Sequence, residues 1–569
     1  MAYTSLRQAV QDLERHGMLL RIREEVDPNL EMAEIHRQVY DRKGPAILFE
    51  RVKGSPFQAV SNVYGTFDRT AFLFRHTLER VKRVIELKKD PANLLKRPTR
   101  YWSAPFTALS ALPMRSPFGA PVTYGTTTID QLPQLKSWPM DGGAFITLPQ
   151  VYTEDPELPG VMHSNLGMYR IQLSGNDYRL NEEIAFSAIM PLPEGLSELT
   201  FAGMLAGRRF RYTRRDGYLL SADADFVITG EIVKNVKKPE GPFGDHLGYY
   251  SLTHDFPVMR VHRAYHRKNP LWHFTVVGRP PAEDSSFGWL IHELVAPLTP
   301  QEFPGLKELH AVDAAGVHPL LLAIGHERYM PFRERVPEEI LTIANRILGS
   351  GQTSLAKFLF IAAADDDPAL DTHDIAHFFQ HVLERVDWTR DLHFQTRTTI
   401  DTLDYSGSGW NAGSKVVVAC RGERRRTLKA GLPDNFALPA GFSNPAFCQP
   451  GILAIQAPPF EAEQPARDEA EQLCRYLQVF DLQHVPLILL VDDSRFTAAT
   501  LNNFLWVAFT RANPSHDVYG VQAFTEFKHW GSRGPLVIDA RKKPHRAPEM
   551  IEDTGVQKRV EALLSNYKF

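Results

Sequence analysis

The sequence predicts a multidomain protein of α/β and β class: an N-terminal α+β domain, a central split β-barrel and a C-terminal α/β domain containing a duplicated unit. Helices and short strands mix at the start of the chain. Short β-rich runs separated by Gly, Pro and Asp fill the middle, and apolar strands alternate with helices afterwards. The predicted domain boundaries are 1–115, 116–305 and 306–569.

The N-terminal domain is predicted to begin with an amphipathic helix. Leu6, Val10 and Leu13 recur at helical spacing and share one face. Ser5 precedes them with Gln8 three residues later, the pattern of a helix N-cap. We therefore expect a capped helix that packs its apolar face on the first domain.

The central domain is predicted from its many short strands. Runs such as PVTYGTTTI, GMYRIQL, DFVITGEIV and LWHFTVVG are rich in β-branched and aromatic residues, with turn residues between them. This pattern is typical of an antiparallel barrel or sandwich, and we predict the barrel.

The C-terminal domain contains an internal repeat with a constant offset of 126 positions, so that two α/β units are predicted at about 355–420 and 480–541. Chance similarity between two generic strand–helix–strand units is the alternative. The aligned positions are Asp366, Phe378 and Asp391 in the first copy and Asp492, Phe504 and Asp517 in the second.

Two further C-terminal segments have clear patterns. Val485–Val491 is apolar throughout and predicts a buried strand, because it is too short to span a bilayer. Gly555–Leu564 predicts a terminal helix with one apolar side, which a homo-oligomer could exchange between subunits.

Composition excludes several classes of partner. The chain has 43% hydrophobic and 23% charged residues with a net charge of −3, so neither nucleic acid nor an acidic membrane is an expected partner. Its three cysteines are scattered and lack zinc-site spacing, and the first residues lack the apolar core of a signal peptide. We expect a cytoplasmic protein without a membrane span.

The most informative motif is Glu240-Gly-Pro-Phe-Gly-Asp245, which puts two carboxylates on either side of a tight turn. Pro242 fixes its own φ, and the flanking glycines allow conformations that other residues avoid. Two acids held in one cavity cannot easily both ionise, so we expect one pKa to rise, as a general acid requires. A surface turn with solvated acids is the alternative.

Other candidate residues lie on either side of this motif. If residues 165–170 form one extended strand, Asn165 and Arg170 project to opposite faces. An arginine fork suits a carboxylate, and an amide oxygen suits a hard cation. Glu198 stands at a predicted helix start, where it could simply cap the helix. Lys415 follows a Gly-rich turn of the kind that can approach a phosphate.

Taken together, these motifs resemble the UbiD-like decarboxylases. The chain contains Asn-x-Gly-x-Tyr-Arg (165–170), Met-Pro-x-Pro-x-Gly-x-Ser-Glu (190–198), Glu-Gly-Pro-Phe-Gly-Asp-His (240–246), Gly-Arg-Pro-Pro followed by Glu-Asp (278–284) and a Gly-Ser-Lys tail (413–415), in the family's order. The long C-terminus, with Lys-His-Trp-Gly at 528–531, resembles the subgroup linked to the futalosine route of menaquinone synthesis.

The resemblance implies reversible decarboxylation of an aromatic or α,β-unsaturated acid, with a naphthoate-type acid as the implied substrate of the subgroup. It also implies prenylated FMN as cofactor, supplied by a flavin prenyltransferase and bound in a flavin-reductase-like split barrel. Mn²⁺ and a monovalent cation such as K⁺ would accompany it, and a homo-oligomer is implied. Loss of CO₂ from an sp² carbon needs an electron sink that side chains do not provide.

The resemblance also implies roles for individual residues. Arg170, Glu240 and Asp245 would form the catalytic set: Arg170 would orient the substrate carboxylate, Glu240 would donate the proton and Asp245 would tune it. Asn165 and Glu198 would bind the metal. The implied flavin-binding residues are Asn165, Gly167, Met168, Tyr169, Arg170, Met190, Pro191 and Lys415.

One departure from the family pattern concerns the metal. The family carries a His ligand between the arginine and the Met-Pro motif, but residues 171–189 contain no His. A few dozen residues are missing, and we expect the break near Glu183–Ala185. If the segment is absent from the protein, a non-catalytic accessory subunit is the alternative function. A plain FMN oxidoreductase is a third interpretation, which leaves the paired acids unexplained.

Overall fold

The structure is a computed structural model that describes residues 3–117, 119–155, 157–167, 170–174, 177–180, 197–296, 299–328, 332, 334 and 336–569. It divides into two compact units: unit 1 is Met1–Leu298 with Glu549–Phe569, and unit 2 is Thr299–Pro548. This division differs from the predicted domains at the end of the chain, because the terminal helix belongs to unit 1.

The strands of the described chain are β1 (Leu19–Val26), β2 (Ala46–Val52), β3 (Gln58–Ser61), β4 (Met114–Arg115), β5 (Gly125–Thr127), β6 (Phe145–Ile146), β7 (Val151–Glu154), β8 (Ser164–Gly167), β9 (Ile171–Ser174), β10 (Asp177–Leu180), β11 (Arg211–Arg215), β12 (Tyr218–Ser221), β13 (Phe226–Glu240), β14 (His254–His266), β15 (Leu271–His273), β16 (Leu306–Ala311), β17 (Leu320–Gly325), β18 (Phe358–Ala363), β19 (Leu392–Thr398), β20 (Gly413–Cys420), β21 (Ser443–Gln449), β22 (Ile452–Gln456), β23 (Leu487–Val491), β24 (Val518–Gly520), β25 (Ala523–Glu526), β26 (His529–Ser532) and β27 (Leu536–Asp539).

The α-helices of the described chain are α1 (Leu6–Arg15), α2 (Glu31–Asp41), α3 (Phe67–Leu73), α4 (Leu78–Lys89), α5 (Asn93–Lys96), α6 (Pro98–Tyr101), α7 (Ala104–Ser110), α8 (Glu198–Ala206), α9 (Ser285–Val295), α10 (Thr299–Glu302), α11 (Glu339–Leu348), α12 (Ile375–Arg385), α13 (Glu463–Leu477), α14 (Ser494–Ala499), α15 (Leu501–Arg511), α16 (Pro514–Asp517) and α17 (Thr554–Leu564). Among them there is no helix with the length and apolar character needed to cross a membrane.

Unit 1 begins with a four-stranded mixed sheet in the order β1-β2-β3-β15. The predicted first helix is confirmed as α1: the Ser5 side chain caps it by accepting from Gln8 N, and Val10 and Leu13 are buried. The terminal helix α17 buries Val556 and Val560 in the same core as α2 of its own chain. In this structure α17 therefore completes unit 1 of its own chain.

The β-rich middle of unit 1 is an antiparallel sheet in the order β13-β14-β10-β9-β6, with β5 also paired to β14. Gln172 in β9 nevertheless bonds the backbone of Gly241, which directly follows β13. Three strand spacings would separate β9 from β13 by about 14 Å in a flat sheet. The sheet therefore curves, and its closure into a split barrel stays a prediction.

Unit 2 contains two five-stranded sheets with the same construction. Their orders are β16-β17-β18-β20-β19 and β21-β22-β23-β27-β24, with parallel inner pairs and an antiparallel strand at each edge. Helices α12 and α15 begin and end 126 positions apart. This is the arrangement that a duplication would produce. The predicted strand within Val485–Val491 is confirmed as the fully buried β23.

Candidate active site

Arg170 lies between Glu240 and Asp245 in a buried cluster of unit 1. Its Nε donates to Glu240 Oε1 at 2.8 Å and its Nη2 to Oε2 at 3.1 Å, while Nη1 donates to Asp245 Oδ2. Only 6% of Arg170, 0% of Glu240 and 5% of Asp245 is exposed. The structure thus brings together the three side chains that the sequence predicted as one set.

The charges around Asp245 change one expectation. Burial acts to raise the pKa of Asp245, but its hydrogen bond with His246 and the charge of Arg170 outweigh burial and hold that pKa below its ordinary value of 3.8. His246 contributes its backbone N at 2.7 Å and its Nδ1 at 3.1 Å from Asp245 Oδ1. The predicted rise in pKa therefore does not occur at Asp245, because a guanidinium lies between the two acids.

Residues 240–245, which we call the acid turn, are bonded to side chains from three other parts of unit 1. Gly241 has a φ of +91°, which only glycine adopts readily. Three amide N–H groups of the turn donate to side-chain acceptors: Gly241 N to Gln172 Oε1 at 3.0 Å, Phe243 N to Ser251 Oγ at 3.1 Å and Gly244 N to Asp141 Oδ1 at 2.8 Å.

Two further contacts immobilise Arg170. Ser251 Oγ also accepts from Arg170 Nη2 at 2.9 Å, so that one hydroxyl joins the guanidinium to the acid turn. The guanidinium carbon lies 4.9 Å from the centre of the Phe243 ring, a cation–π contact. The guanidinium is consequently held at its edges by the two acids and Ser251, and on a face by the Phe243 ring.

The structure places Glu198 beside the backbone of β8, the strand that carries Asn165. Asn165 is an exposed residue of β8, and Glu198 opens helix α8. Leu166 N donates to Glu198 Oε2 at 3.0 Å, and the hydroxyls of Ser164 and Ser197 lie 3.0 Å apart. These contacts put the Glu198 carboxylate at Leu166, the residue that follows Asn165 along the chain. A shared metal site of the two side chains, a donor set that suits a hard cation, stays a prediction.

The prediction of one strand over 165–170 is wrong. Asn165 lies in β8, which pairs with β7, whereas Arg170 immediately precedes β9 in the large sheet. Gly167, a predicted flavin contact, is buried at the end of β8. The other predicted contacts Met168, Tyr169, Met190 and Pro191 lie outside the described residues, as does the expected break near Glu183–Ala185.

Lys415 lies in the buried strand β20 of unit 2 and is 1% exposed. Its ammonium donates to the carbonyl oxygen of Ser354 at 2.7 Å and to that of Thr399. Burial lowers the pKa of Lys415 to about 8. The predicted contact with a flavin phosphate stays a prediction.

The sequence analysis missed Asp141, Gln172 and Ser251, which hold the acid turn. A signal existed for Gln172, because it follows Arg170 by two residues and so shares its face of a strand. Asp141 precedes two glycines, a weak turn signal, and nothing local marks Ser251. Burial raises the pKa of Asp141 to about 6, although three backbone N–H donors act to lower it.

Comparison with family models finds matches to three domains of one protein family in this chain. Residues 10–88 match the N-terminal domain of 3-octaprenyl-4-hydroxybenzoate carboxy-lyase, and residues 285–420 match its C-terminal domain. The Rift-related domain of the same family matches in two parts, 116–181 and 180–280.

Similar proteins include chlamydial chains of comparable length. An uncharacterised protein of Chlamydia trachomatis serovar D is 36% identical over 610 residues, with 99% of both chains covered. A protein of Chlamydia pneumoniae, named as one of the subunits of a 4-hydroxybenzoate decarboxylase, is 35% identical over 604 residues, covering 96% of this chain and 97% of its own.

Solved structures share the fold at low sequence identity. The closed form of vanillic acid decarboxylase from Sedimentibacter hydroxybenzoicus has a TM-score of 0.63 and 20% identity, covering 76% of this chain and 97% of that one. The UbiD-class enzyme HmfF from Pelotomaculum thermopropionicum in complex with FMN has a TM-score of 0.56 and 20% identity, covering 73% and 93%.

The comparisons also bear on the missing segment. An alignment of 610 positions against a chain of 569 residues leaves at least 41 positions (610 minus 569) without a residue here. The two parts of the Rift-related match meet at 180–181. Both observations agree with a deletion near Glu183–Ala185 relative to the family.

Proposed function

This chain belongs to the UbiD family of carboxy-lyases, and on that premise we propose that it catalyses reversible, non-oxidative decarboxylation of an aromatic or α,β-unsaturated carboxylic acid with prenylated FMN. The observation that carries the proposal is the buried set of Arg170, Glu240 and Asp245. One cation between two carboxylates leaves one excess negative charge when both acids are ionised, so the set has room for one proton.

Asp245 is the better candidate for the group that carries this proton. Against the effect of burial, His246 and Arg170 lower its pKa in the chain alone, and the negative charge of a bound substrate carboxylate would act to raise that pKa. Glu240 is completely buried and engages the guanidinium through both oxygens, so Arg170 donors occupy both of them. Asp245 meets Arg170 through one oxygen, and its other oxygen contacts His246, which is more exposed. This reverses the roles that the resemblance implied, in which Glu240 donates the proton.

Arg170 has a holding role in this proposal. Its described hydrogen bonds to Glu240, Asp245 and Ser251 all go to side chains of the chain itself, which supports a function in fixing the two acids. With both acids ionised the set has an excess negative charge, so the guanidinium would stabilise an approaching carboxylate once the set holds its proton. Orientation of the substrate carboxylate by Arg170 belongs to the proposal.

The described residues fit the cofactor system in part. Asn165 and Glu198 would hold Mn²⁺ next to the flavin. The hydrogen bond from Leu166 N to Glu198 Oε2 supports this, because it places the carboxylate at the residue that follows Asn165. When bound, prenylated FMN would supply the electron sink for cleavage of the carbon–carbon bond. A monovalent cation such as K⁺ completes the proposed set.

For the substrate we propose an aromatic acid, with a naphthoate-type acid of menaquinone synthesis as the specific candidate. The second sheet of unit 2, beyond the family match that ends at residue 420, supports the longer subgroup. The name of the C. pneumoniae relative supports a hydroxybenzoate instead. A substrate panel must therefore contain both classes of acid.

The test is a decarboxylation assay in D₂O. The protein is reconstituted with prenylated FMN, Mn²⁺ and K⁺ and incubated with benzoates, hydroxybenzoates, naphthoates and cinnamates. We expect CO₂ release and deuterium at the carbon that carried the carboxylate. An Arg170→Ala variant that matches the wild type in both signals would remove the proposed site from the reaction.

A second candidate function, a non-catalytic accessory subunit, is favoured by the 41 or more aligned positions that have no residue here. Residues 171–189 lack the His ligand that the resemblance implies, so the proposed metal site would keep only Asn165 and Glu198. Sequencing the gene across codons 180–188 distinguishes the two candidates. An uninterrupted reading frame together with absent CO₂ release would favour the accessory role.

A further inference from the structure

Asp141 joins two loops of unit 1 through one buried carboxylate. Its Oδ2 accepts from Ser137 N at 3.0 Å and Trp138 N at 2.9 Å, which closes its own loop. Its Oδ1 accepts from Gly244 N at 2.8 Å, inside the acid turn. The residue is 4% exposed, so water does not compete effectively for these three donors.

A second set of contacts holds the same two loops together. Gly142 N donates to the Pro242 carbonyl at 2.8 Å. Gln172 spans the junction: its Nε2 donates to the Gly142 carbonyl at 2.8 Å, and its Oε1 accepts from Gly241 N. A Cβ on residue 142 would overlap the carbonyl oxygen of Gly241, so the approach of the two backbones requires glycine there.

The anchored amide is next to a reactive group. Gly244 immediately precedes Asp245, whose carboxylate meets Arg170. A shift of the Gly244 backbone would carry the Asp245 carboxylate away from the guanidinium, and misplacement of a reacting group by about 1 Å can cost roughly 100-fold in rate. Asp141 has no described bond to Arg170, Glu240 or the Asp245 carboxylate, so it acts through the backbone.

We propose that Asp141 is a positioning residue that sets the location of the Asp245 carboxylate by holding the Gly244 amide. This role rests on the proposed decarboxylation for its kinetic consequence, but the anchoring itself is a property of the folded chain. It follows that loss of Asp141 loosens the acid turn and lowers kcat, while substrate affinity changes little.

The test combines amide exchange with kinetics on the reconstituted full-length holoenzyme. Asp141→Asn and Asp141→Ala are compared with Asp225→Asn, a control in which the substituted carboxylate accepts Leu271 N away from the acid turn. In the Asp141 variants we expect the amides of residues 241 and 243–246 to exchange about tenfold faster, while those of β1–β3 are unchanged. We expect kcat to fall about 10–100-fold with KM within about threefold. Asp225→Asn should leave the amide exchange of the acid turn and kcat near their wild-type values.

Several outcomes would overturn the proposal. Unchanged amide exchange of the acid turn in both Asp141 variants would do so. A rise in KM with unchanged kcat would do so as well. If the variants fail to fold, amide exchange in the wild type is the test. A Gly244 amide that exchanges as fast as a solvent-exposed amide would show that its bond to Asp141 does not form. Absent decarboxylation by the wild type counts against the proposed function only, because the amide exchange remains readable.

Discussion

Arg170 binds Glu240 through two parallel hydrogen bonds, Nε to Oε1 at 2.8 Å and Nη2 to Oε2 at 3.1 Å, with Glu240 wholly buried. Such a bidentate pair is stronger and more directional than a single contact. Asp245 meets the same guanidinium through Nη1 alone and contacts His246 on its other oxygen. The two acids therefore differ in how they are bound: both oxygens of Glu240 accept from the guanidinium, whereas only one oxygen of Asp245 does.

The first prediction separates the two acids by chemical rescue. Asp245→Ala should lower deuterium incorporation by about 10³-fold, within the range for loss of a general acid. Added formate should restore part of the rate, because the Asp245 carboxylate borders the more exposed His246. Glu240→Ala should lose activity without rescue and cost about 3–5 kcal/mol of unfolding free energy, since it removes the bidentate partner of the buried Arg170.

Rate assays with and without formate, together with urea unfolding of both variants, check this prediction. Rescue of Glu240→Ala but not of Asp245→Ala would restore the opposite assignment, in which Glu240 donates the proton. The Asp255→Ala variant, which removes an exposed acid at the start of β14, serves as the control and should behave as wild type.

The acid turn shows what sequence could predict about this site. Pro242 and its flanking glycines define a tight turn from local rules, so the sequence alone predicts that Glu240 and Asp245 lie close together. The meeting with Arg170 joins positions 70 residues apart, and only the family motifs suggested it. The acceptors Asp141 and Ser251 depend on how separate loops pack, which local patterns do not encode. That β8 and β9 belong to different sheets likewise depends on their pairing partners, which local patterns do not encode.

The second prediction concerns stability and pH at Asp245. Because the folded-state pKa lies below 3.8, ionised Asp245 stabilises the folded chain above about pH 4, and this contribution is lost as pH falls through the lower folded pKa. Asp245→Asn should therefore be less stable than wild type at pH 7, with a smaller difference near pH 3. Urea unfolding at both values measures this. A difference that grows on acidification contradicts the lowered pKa.

The third prediction concerns the hydroxyl that joins Arg170 to the acid turn. Ser251→Ala removes the acceptor of Arg170 Nη2 and Phe243 N, so it should cost about 1–3 kcal/mol of unfolding free energy and lower kcat. Ser61→Ala is the matched control, because Ser61 is 0% exposed and its Oγ has no hydrogen-bond partner in the structure. Chemical unfolding and product assays compare the two. Equal losses would mean that burial, and not the shared hydroxyl, accounts for the effect.

The fourth prediction tests the proposed contact between Lys415 and a flavin phosphate. With a pKa of about 8, the ammonium is charged at pH 7 and loses its proton as pH rises. If it binds phosphate, FMN affinity should fall between pH 7 and 9 in the wild type. Lys415→Met should bind more weakly at pH 7 and show less dependence on pH. Fluorescence titration measures both, and identical affinities for the two proteins would exclude the contact.

The fifth prediction concerns the metal. Glu198 accepts a hydrogen bond from Leu166 N, next to Asn165 in the chain, and residues 171–189 lack the His ligand that the family resemblance implies. Glu198→Gln should weaken Mn²⁺ binding by about tenfold or more, because it removes the only charged oxygen of the pair. Glu157→Gln is the control, since Glu157 is an exposed acid in the loop between β7 and β8. Mn²⁺ titration followed by electron paramagnetic resonance reads the affinity without any need for turnover. If Glu198→Gln and wild type bind Mn²⁺ equally, the ion is held elsewhere, and the pair serves only to join helix α8 to strand β8.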